Sequence, residues 1–171
     1  MISCKKIPNS VFFDEVEDRV RSGQDVKIMV KGVSMSPTFL DGRDFVVVSP
    51  IEKKLRRGDI VLFHIGDSVH LHRIIHIYKG TRVENAGIES RDSRVLKIRG
   101  DGCYSPFEVV SVENAFAVVT SGSMFGGLIT WHKDSVWWKS YTTIYIVCYP
   151  LRWFLIKAYH FLKKCIRRGR S

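Results

Sequence analysis

Gly32-Val33-Ser34-Met35-Ser36-Pro37-Thr38 sets a serine on a tight, proline-bounded turn between two strand-like runs. Val69-His70-Leu71-His72-Arg73-Ile74-Ile75 sets imidazoles on a strand. A serine hydroxyl is a weak nucleophile until a base within hydrogen-bond reach takes its proton. The two segments are far enough apart to occupy different strands and close enough to share one small domain. Read together, they decide both the fold and the chemistry to be expected.

On either side of them, β-branched and aromatic runs recur at residues 26–30, 45–48, 60–65, 69–78, 95–98 and 109–119. Asp41-Gly42, Gly58-Asp59, Gly66-Asp67 and Asp101-Gly102 punctuate the runs as turns. Many short strands with such turns predict a mainly β, small barrel-like domain. Asn9 or Ser10 caps a short N-terminal helix that carries Phe12, Phe13, Val16 and Val20 on one side and ends at Gly23. The polar residues 81–94 read as a hairpin loop. Met1-Ile2-Ser3-Cys4-Lys5-Lys6, followed by Pro8 and an acidic run, does not read as a signal peptide.

Ser34-Met35-Ser36-Pro37-Thr38 resembles the box around the nucleophile of the type I signal peptidases and their relatives, the self-cleaving phage and SOS repressors. Arg57-Gly58-Asp59-Ile60-Val61-Leu62-Phe63 resembles the Gly-Asp-hydrophobic strand that follows it. Residues 69–75 resemble the His-Arg-hydrophobic box, and Arg99-Gly100-Asp101-Gly102 the late Lys-Gly-Asp-Asn box. The four stand in the family's order between residues 26 and 120, and an ordered set is more specific than any one box. The pattern is similar to that of small bacterial signal-peptidase-like proteins without the usual membrane anchor.

The resemblance implies a signal-peptidase/repressor-type peptidase fold and a serine endopeptidase that cleaves a leader or precursor peptide without metal or organic cofactor. Ser34 takes the place of the nucleophile. Ser36 is the local rival, but Pro37 pushes it toward extended geometry, so it reads as a turn residue. Most bacterial members use a lysine base, whereas the archaeal and endoplasmic-reticulum branch uses a histidine. His72-Arg73 resembles the histidine branch, and no lysine lies between Lys54 and Lys79. His70, His72 and His76 are expected on one strand face by the period of two. His72 is preferred because it alone precedes the arginine. The family's third member is an acid near residue 107; Glu108 is assigned to it, with Asp101 as the other candidate and a turn or salt-bridge support. The Ser34 N–H is the expected oxyanion donor. Gly32 stands where many signal peptidases add a serine hydroxyl.

Charge divides the chain. The net charge is +10, and residues 131–171 carry +8 of it, with nine Lys and Arg against Asp134 alone. All four tryptophans lie there too. The expected organisation is therefore a β domain over residues 1–130 and a basic, aromatic-rich C-terminal amphipathic segment over residues 131–171. Taken as a helix after Pro150, residues 151–168 put Leu151, Phe154, Leu155 and Leu162 on an apolar face and Arg152, Lys163, Lys164 and Arg167 on a basic one. Such a helix lies in an anionic membrane surface, or packs its apolar side on the barrel with its charges solvated. The first reading makes residues 150–171 a peripheral membrane contact on the cytoplasmic side. The longest uncharged stretch of the segment, 12 residues between Lys139 and Arg152, is short of the roughly 20 that span a bilayer. No DNA-binding helix pair precedes the β domain, so nucleic acid is not an expected partner. Cys4, Cys103, Cys148 and Cys165 lack metal-ligand spacing and read as free thiols. The reading from another class is a catalytically silent peptidase fold, a binding or regulatory module docked on a membrane or an acidic partner.

Overall fold

The computed structural model describes residues 9–78, 94–103 and 107–149. Helix α1 (Asn9–Arg21) opens the described residues. Val16 and Val20, four residues apart, are buried on its inner side. An exposed Glu15–Arg19 pair lines its outer side, whereas Glu17 pairs with Arg21 and meets His64 of the sheet. Eight antiparallel strands follow: β1 (Val26–Met29), β2 (Phe45–Ser49), β3 (Ile60–Ile65), β4 (Ser68–Tyr78), β5 (Val95–Arg99), β6 (Glu108–Ser111), β7 (Ala115–Met124) and β8 (Ile129–His132). They form one sheet in the order β1-β2-β7-β3-β4-β5-β6, with β8 also paired to β7. The fold is mainly β, as the run of strand signals implied. The sheet is not closed into a barrel, because β1 and β6 end it without pairing to each other.

Strand β3 explains why the sheet is covered on both faces. Ile60 and Leu62 join a core with Val16, Val20, Phe39, Trp131 and Trp138. Val61 and Phe63, pointing the other way, join a second core with Ile74, Leu96, Ile98 and Val110. A strand buried on both sides has no polar position to alternate with, hence the continuous Ile60-Val61-Leu62-Phe63 run. Full burial of each side chain contributes about 1.5–3 kcal/mol.

Two local features depart from the sequence reading. The run 109–119 is not one strand: a 3₁₀ turn at Val112–Asn114 divides it into β6 and β7. The Glu113 N–H donates to Ser111 Oγ there, which caps the turn. In β4 the pairing with β5 slips between Ile74 and His76. This bulge flips His76 to an exposed position, whereas His70 and His72 remain on the face of Phe63. The expectation of three histidines on one face is therefore corrected: an extra residue breaks the period of two.

Helix α2 (Val136–Val147) starts at Ser135, whose hydroxyl accepts from the Trp138 N–H. Trp138 is buried and stacks on Trp131 with ring centroids 3.6 Å apart; both face Phe39. The boundary expected at residue 130 thus falls inside β8, and β8 and α2 pack into the first core. Residues 150–171, with the amphipathic pattern, lie outside the described residues, as does the loop of residues 81–93. Among the described residues no helix is long and apolar enough to cross a membrane.

Trp138→Ala is expected to lower stability by about 3–5 kcal/mol, read as a fall in the denaturant midpoint at unchanged slope. A midpoint equal to wild type would mean that α2 is an appendage and not part of the core.

Candidate active site

Ser34 sits in the long loop of residues 30–44 that joins β1 to β2. Backbone bonds from the Val30 N–H to the Asp44 oxygen and from the Gly42 N–H to the Val30 oxygen, both 2.9 Å, clamp the loop at its base. Met35 and Phe39 are buried in the first core, and the Phe39 N–H donates to the Met35 oxygen. The loop's apolar residues therefore hold it down while Ser34 stays half-buried at the surface. Gly32 adopts a φ of 85°, and its N–H donates to Asp41 Oδ1 at 3.0 Å. Only a glycine takes that left-handed turn without strain.

The turn after β5 closes over this loop. The Gly102 N–H donates to the Ser34 oxygen at 2.7 Å. At Gly100 a β-carbon would collide with the Ser34 oxygen and come within 2.8 Å of Cys103 Sγ and 2.9 Å of His72 Nε2. The backbone of Ser34 and the Nε2 edge of His72 thus converge on one point, kept open by a residue with no side chain.

His72 is 4% exposed, with the ring of Phe63 5.6 Å away and that of His70 5.7 Å away. Its Nδ1 donates to Glu108 Oε2 at 2.8 Å. That bond selects the tautomer with its lone pair on Nε2, the edge that faces Gly100 and Ser34. Burial disfavours the imidazolium and pushes the His72 pKa below the ordinary 6.5, although the Glu108 carboxylate pulls the other way. The ring is a neutral base already hydrogen-bonded to an acid, as the triad arrangement requires.

Asp101, the other acidic candidate, is committed elsewhere. Arg73 is fully buried and forms a two-pronged pair with it, Nε to Oδ1 at 2.9 Å and Nη2 to Oδ2 at 2.7 Å. Thr38 Oγ1 donates to the same carboxylate at 2.6 Å, and Tyr145 donates to the Asp101 main-chain oxygen. Arg73 Nη1 reaches the Gly58 oxygen and Thr142 Oγ1, each at 3.1 Å. Burial lowers the Arg73 pKa, but Asp101 more than offsets it and the net shift is upward. Glu108 faces the imidazole, and Asp101 holds the turn that carries Gly100 and Gly102.

A groove of about 200 Å³ runs away from Ser34 between β1 and the first half of β4, lined by Phe12, Phe13, Ile28, Met29, Val69 and Leu71 among others. Among the described residues β1 pairs only with β2, and residues 68–72 of β4 pair only with β3. Both strands turn an unpaired backbone edge outward.

A family model described as Peptidase S24-like matches residues 4–101. The chain belongs to the Peptidase S24-like family. Its Peptidase S24-like portion contains Ser34, His72, Arg73 and Asp101 but stops before Glu108, β7 and α2. No curated protein matches the chain. Four contributors to this site escaped the sequence reading. Thr38 was visible in the Ser-Met-x-Pro-Thr box, but its bond to Asp101 spans 63 positions. Phe12 and Phe13 were legible as a helix face, and only tertiary packing brings them to the groove. Cys103 Sγ lies 4.0 Å from the Ser34 oxygen, with its thiol pKa raised by burial first and by Glu108 second; nothing in the spacing of the cysteines signals that position.

The His72 ring is expected to titrate below 6.5 in an NMR titration. Glu108→Gln should lower that value further, because the charge that favours the imidazolium is gone. Below 6.5 the unfolded chain binds a proton here that the folded protein does not, so His72 makes stability fall as the pH falls through that range. A ring that titrates above 6.5, or rises in Glu108→Gln, contradicts the geometry.

Proposed function

We propose that this protein is a serine endopeptidase of signal-peptidase type that cleaves a leader or precursor peptide through Ser34 and His72. One observation carries the reading. The Ser34 main chain and the Nε2 edge of a neutral, Glu108-bonded His72 meet at Gly100, whose lack of a side chain leaves them room, with Cys103 Sγ beside them. Ser34 Oγ attacks the scissile carbonyl while His72 Nε2 takes its proton. Glu108 keeps the imidazole oriented and favours the imidazolium as it forms. The Ser34 N–H faces the developing oxyanion. His72 then returns the proton to the leaving amine, and water attacks the acyl-enzyme by the same route. The substrate lies extended in the groove, where the open edges of β1 and β4 offer main-chain hydrogen bonds and the apolar walls accept small or apolar side chains.

The same proposal includes peripheral attachment to an anionic membrane surface through residues 150–171, on the cytoplasmic side, supported by their charge pattern. One observation favours the silent-module reading. Gly32 has no hydroxyl, and its N–H is taken by Asp41, so position 32 offers nothing to an oxyanion. A missing donor costs on the order of a hundredfold or more in rate.

Covalent labelling by a serine-directed peptidase inhibitor separates the two readings. Wild type and Ser36→Ala should label, whereas Ser34→Ala should not. His72→Ala should reduce peptide cleavage by about a thousandfold or more, and the acid limb of the wild-type pH–rate profile should lie below 6.5. A wild-type protein that neither labels nor cleaves is the silent module. A profile rising only in the alkaline range indicates a different base.

A further inference from the structure

The cleft between residues 53–59 and α2 has no part in the proposed reaction. It encloses about 240 Å³ and is lined by six cations, Lys53, Lys54, Arg56, Arg57, Lys133 and Lys139, against Asp59 and Asp134. Among the described residues the only ion pair of these cations is Lys139 with Asp134, at 3.8 Å. The Asp59 carboxylate accepts the Arg56 N–H. The cleft therefore holds a large uncompensated positive charge, which disfavours the folded state and attracts anions.

Beside it lies the outward face of α2. Val136, Trp137, Ile144 and Val147 are 79%, 49%, 62% and 65% exposed. At 3.6 residues per turn they share an arc of about 100°. The opposite side of the helix is occupied by Trp138 and Thr142 in the core, so these four have no inward alternative. Lys139 and Thr143, which line the cleft, follow Val136 and precede Val147 by three or four positions, so the basic rim and the apolar strip adjoin.

We infer that the basic cleft and the outward strip of α2 form one docking surface for an anionic phospholipid bilayer, with phosphate-bearing headgroups in the cleft and Trp137, Ile144 and Val147 in the interfacial layer. Charge complementarity selects this occupant together with the apolar strip. A nucleic acid satisfies the cations but gives four exposed apolar side chains nothing, whereas the boundary of an anionic bilayer satisfies both. The surface is made of described residues alone and includes none of residues 150–171. It also has a fixed relation to the peptidase site. Gly58 and Thr142, in the cleft wall, bind Arg73; Arg73 binds Asp101; and the turn that contains Asp101 holds the Ser34 loop. Docking there sets how the groove meets a membrane-bound precursor.

The test uses the full chain with Trp153→Phe, so that Trp137 is the exposed reporter while Trp131 and Trp138 are buried. Vesicles of equal phosphatidylglycerol and phosphatidylcholine should shift the emission to the blue and make it quenchable by brominated lipid; phosphatidylcholine alone should do neither. Lys53→Glu/Lys54→Glu/Arg57→Glu and Ile144→Ser/Val147→Ser should each weaken vesicle binding at least tenfold with a denaturant midpoint no lower than that of wild type. Four results would overturn the inference. The first is wild-type vesicle affinity in either variant. The second is Trp137 remaining in water while Lys163→Gln/Lys164→Gln/Arg167→Gln/Arg168→Gln abolishes binding, which makes the tail the sole contact. The third is a lowered midpoint or a dissociated oligomer in Ile144→Ser/Val147→Ser, which means that the strip is covered by this chain or a second copy. The fourth is tighter binding to a DNA duplex, insensitive to the apolar variant. Inhibitor labelling of Ser34 without vesicles reports the peptidase reading separately.

Discussion

A guanidinium that is fully buried must find its counter-charge inside the protein, and in this molecule much of the architecture follows from Arg73 finding Asp101. Removing one partner of such a pair strands the other, at about 3–5 kcal/mol. The pair reaches well beyond its two residues. Through Thr38 it holds the Ser34 loop, through the Gly58 oxygen it holds the turn before β3, and through Thr142 it holds α2. The rings of Trp138 and Tyr145 each stand 5.5 Å from the guanidinium carbon. Five segments distant in sequence are thus fixed to one buried charge.

Alternation along β4 lets neighbouring residues serve different ends. Arg73 points into the network beneath α2, and His72, one position earlier, points to the face of Phe63 and Glu108. Each side chain lies in a dry environment, with opposite consequences. The guanidinium keeps its charge because a carboxylate meets it with two parallel bonds. The imidazole meets one carboxylate oxygen and is otherwise desolvated, so its neutral form prevails. A neutral imidazole and a buried cation are obtained from the dipeptide His72-Arg73 by the geometry of a strand alone.

The site is assembled by backbone as much as by side chains. Gly100 and Gly102 let two pieces of main chain approach closely, since any β-carbon there would meet the Ser34, Val33 or Ser36 oxygens. The groove inherits its lining from α1 and the unpaired edges of two strands. The basic cleft lies at the far end of the Arg73 network. Buried bonds thereby connect the cleft to the turn that holds the Ser34 loop.

What the sequence determined by itself is what depends on neighbours along the chain. Strand and helix periods placed α1 and seven of the eight strands, though β6 and β7 were read as one run, and the ordered boxes pointed to Ser34, His72 and the choice between Glu108 and Asp101. The choice itself needed the fold, because either carboxylate is close enough in sequence and only the pairing of β4, β5 and β6 sets Glu108 Oε2 against His72 Nδ1. The bulge that turns His76 away adds one residue to a strand without changing its composition. Residues 131–147 were counted with a basic tail because charge totals are blind to partners. Their place in the core rests on Trp131 stacking on Trp138 and on Thr142 meeting Arg73, 69 positions away. Contacts of that span form only after the chain between them has closed, so their energy is a property of the folded molecule and leaves no period or spacing in the sequence.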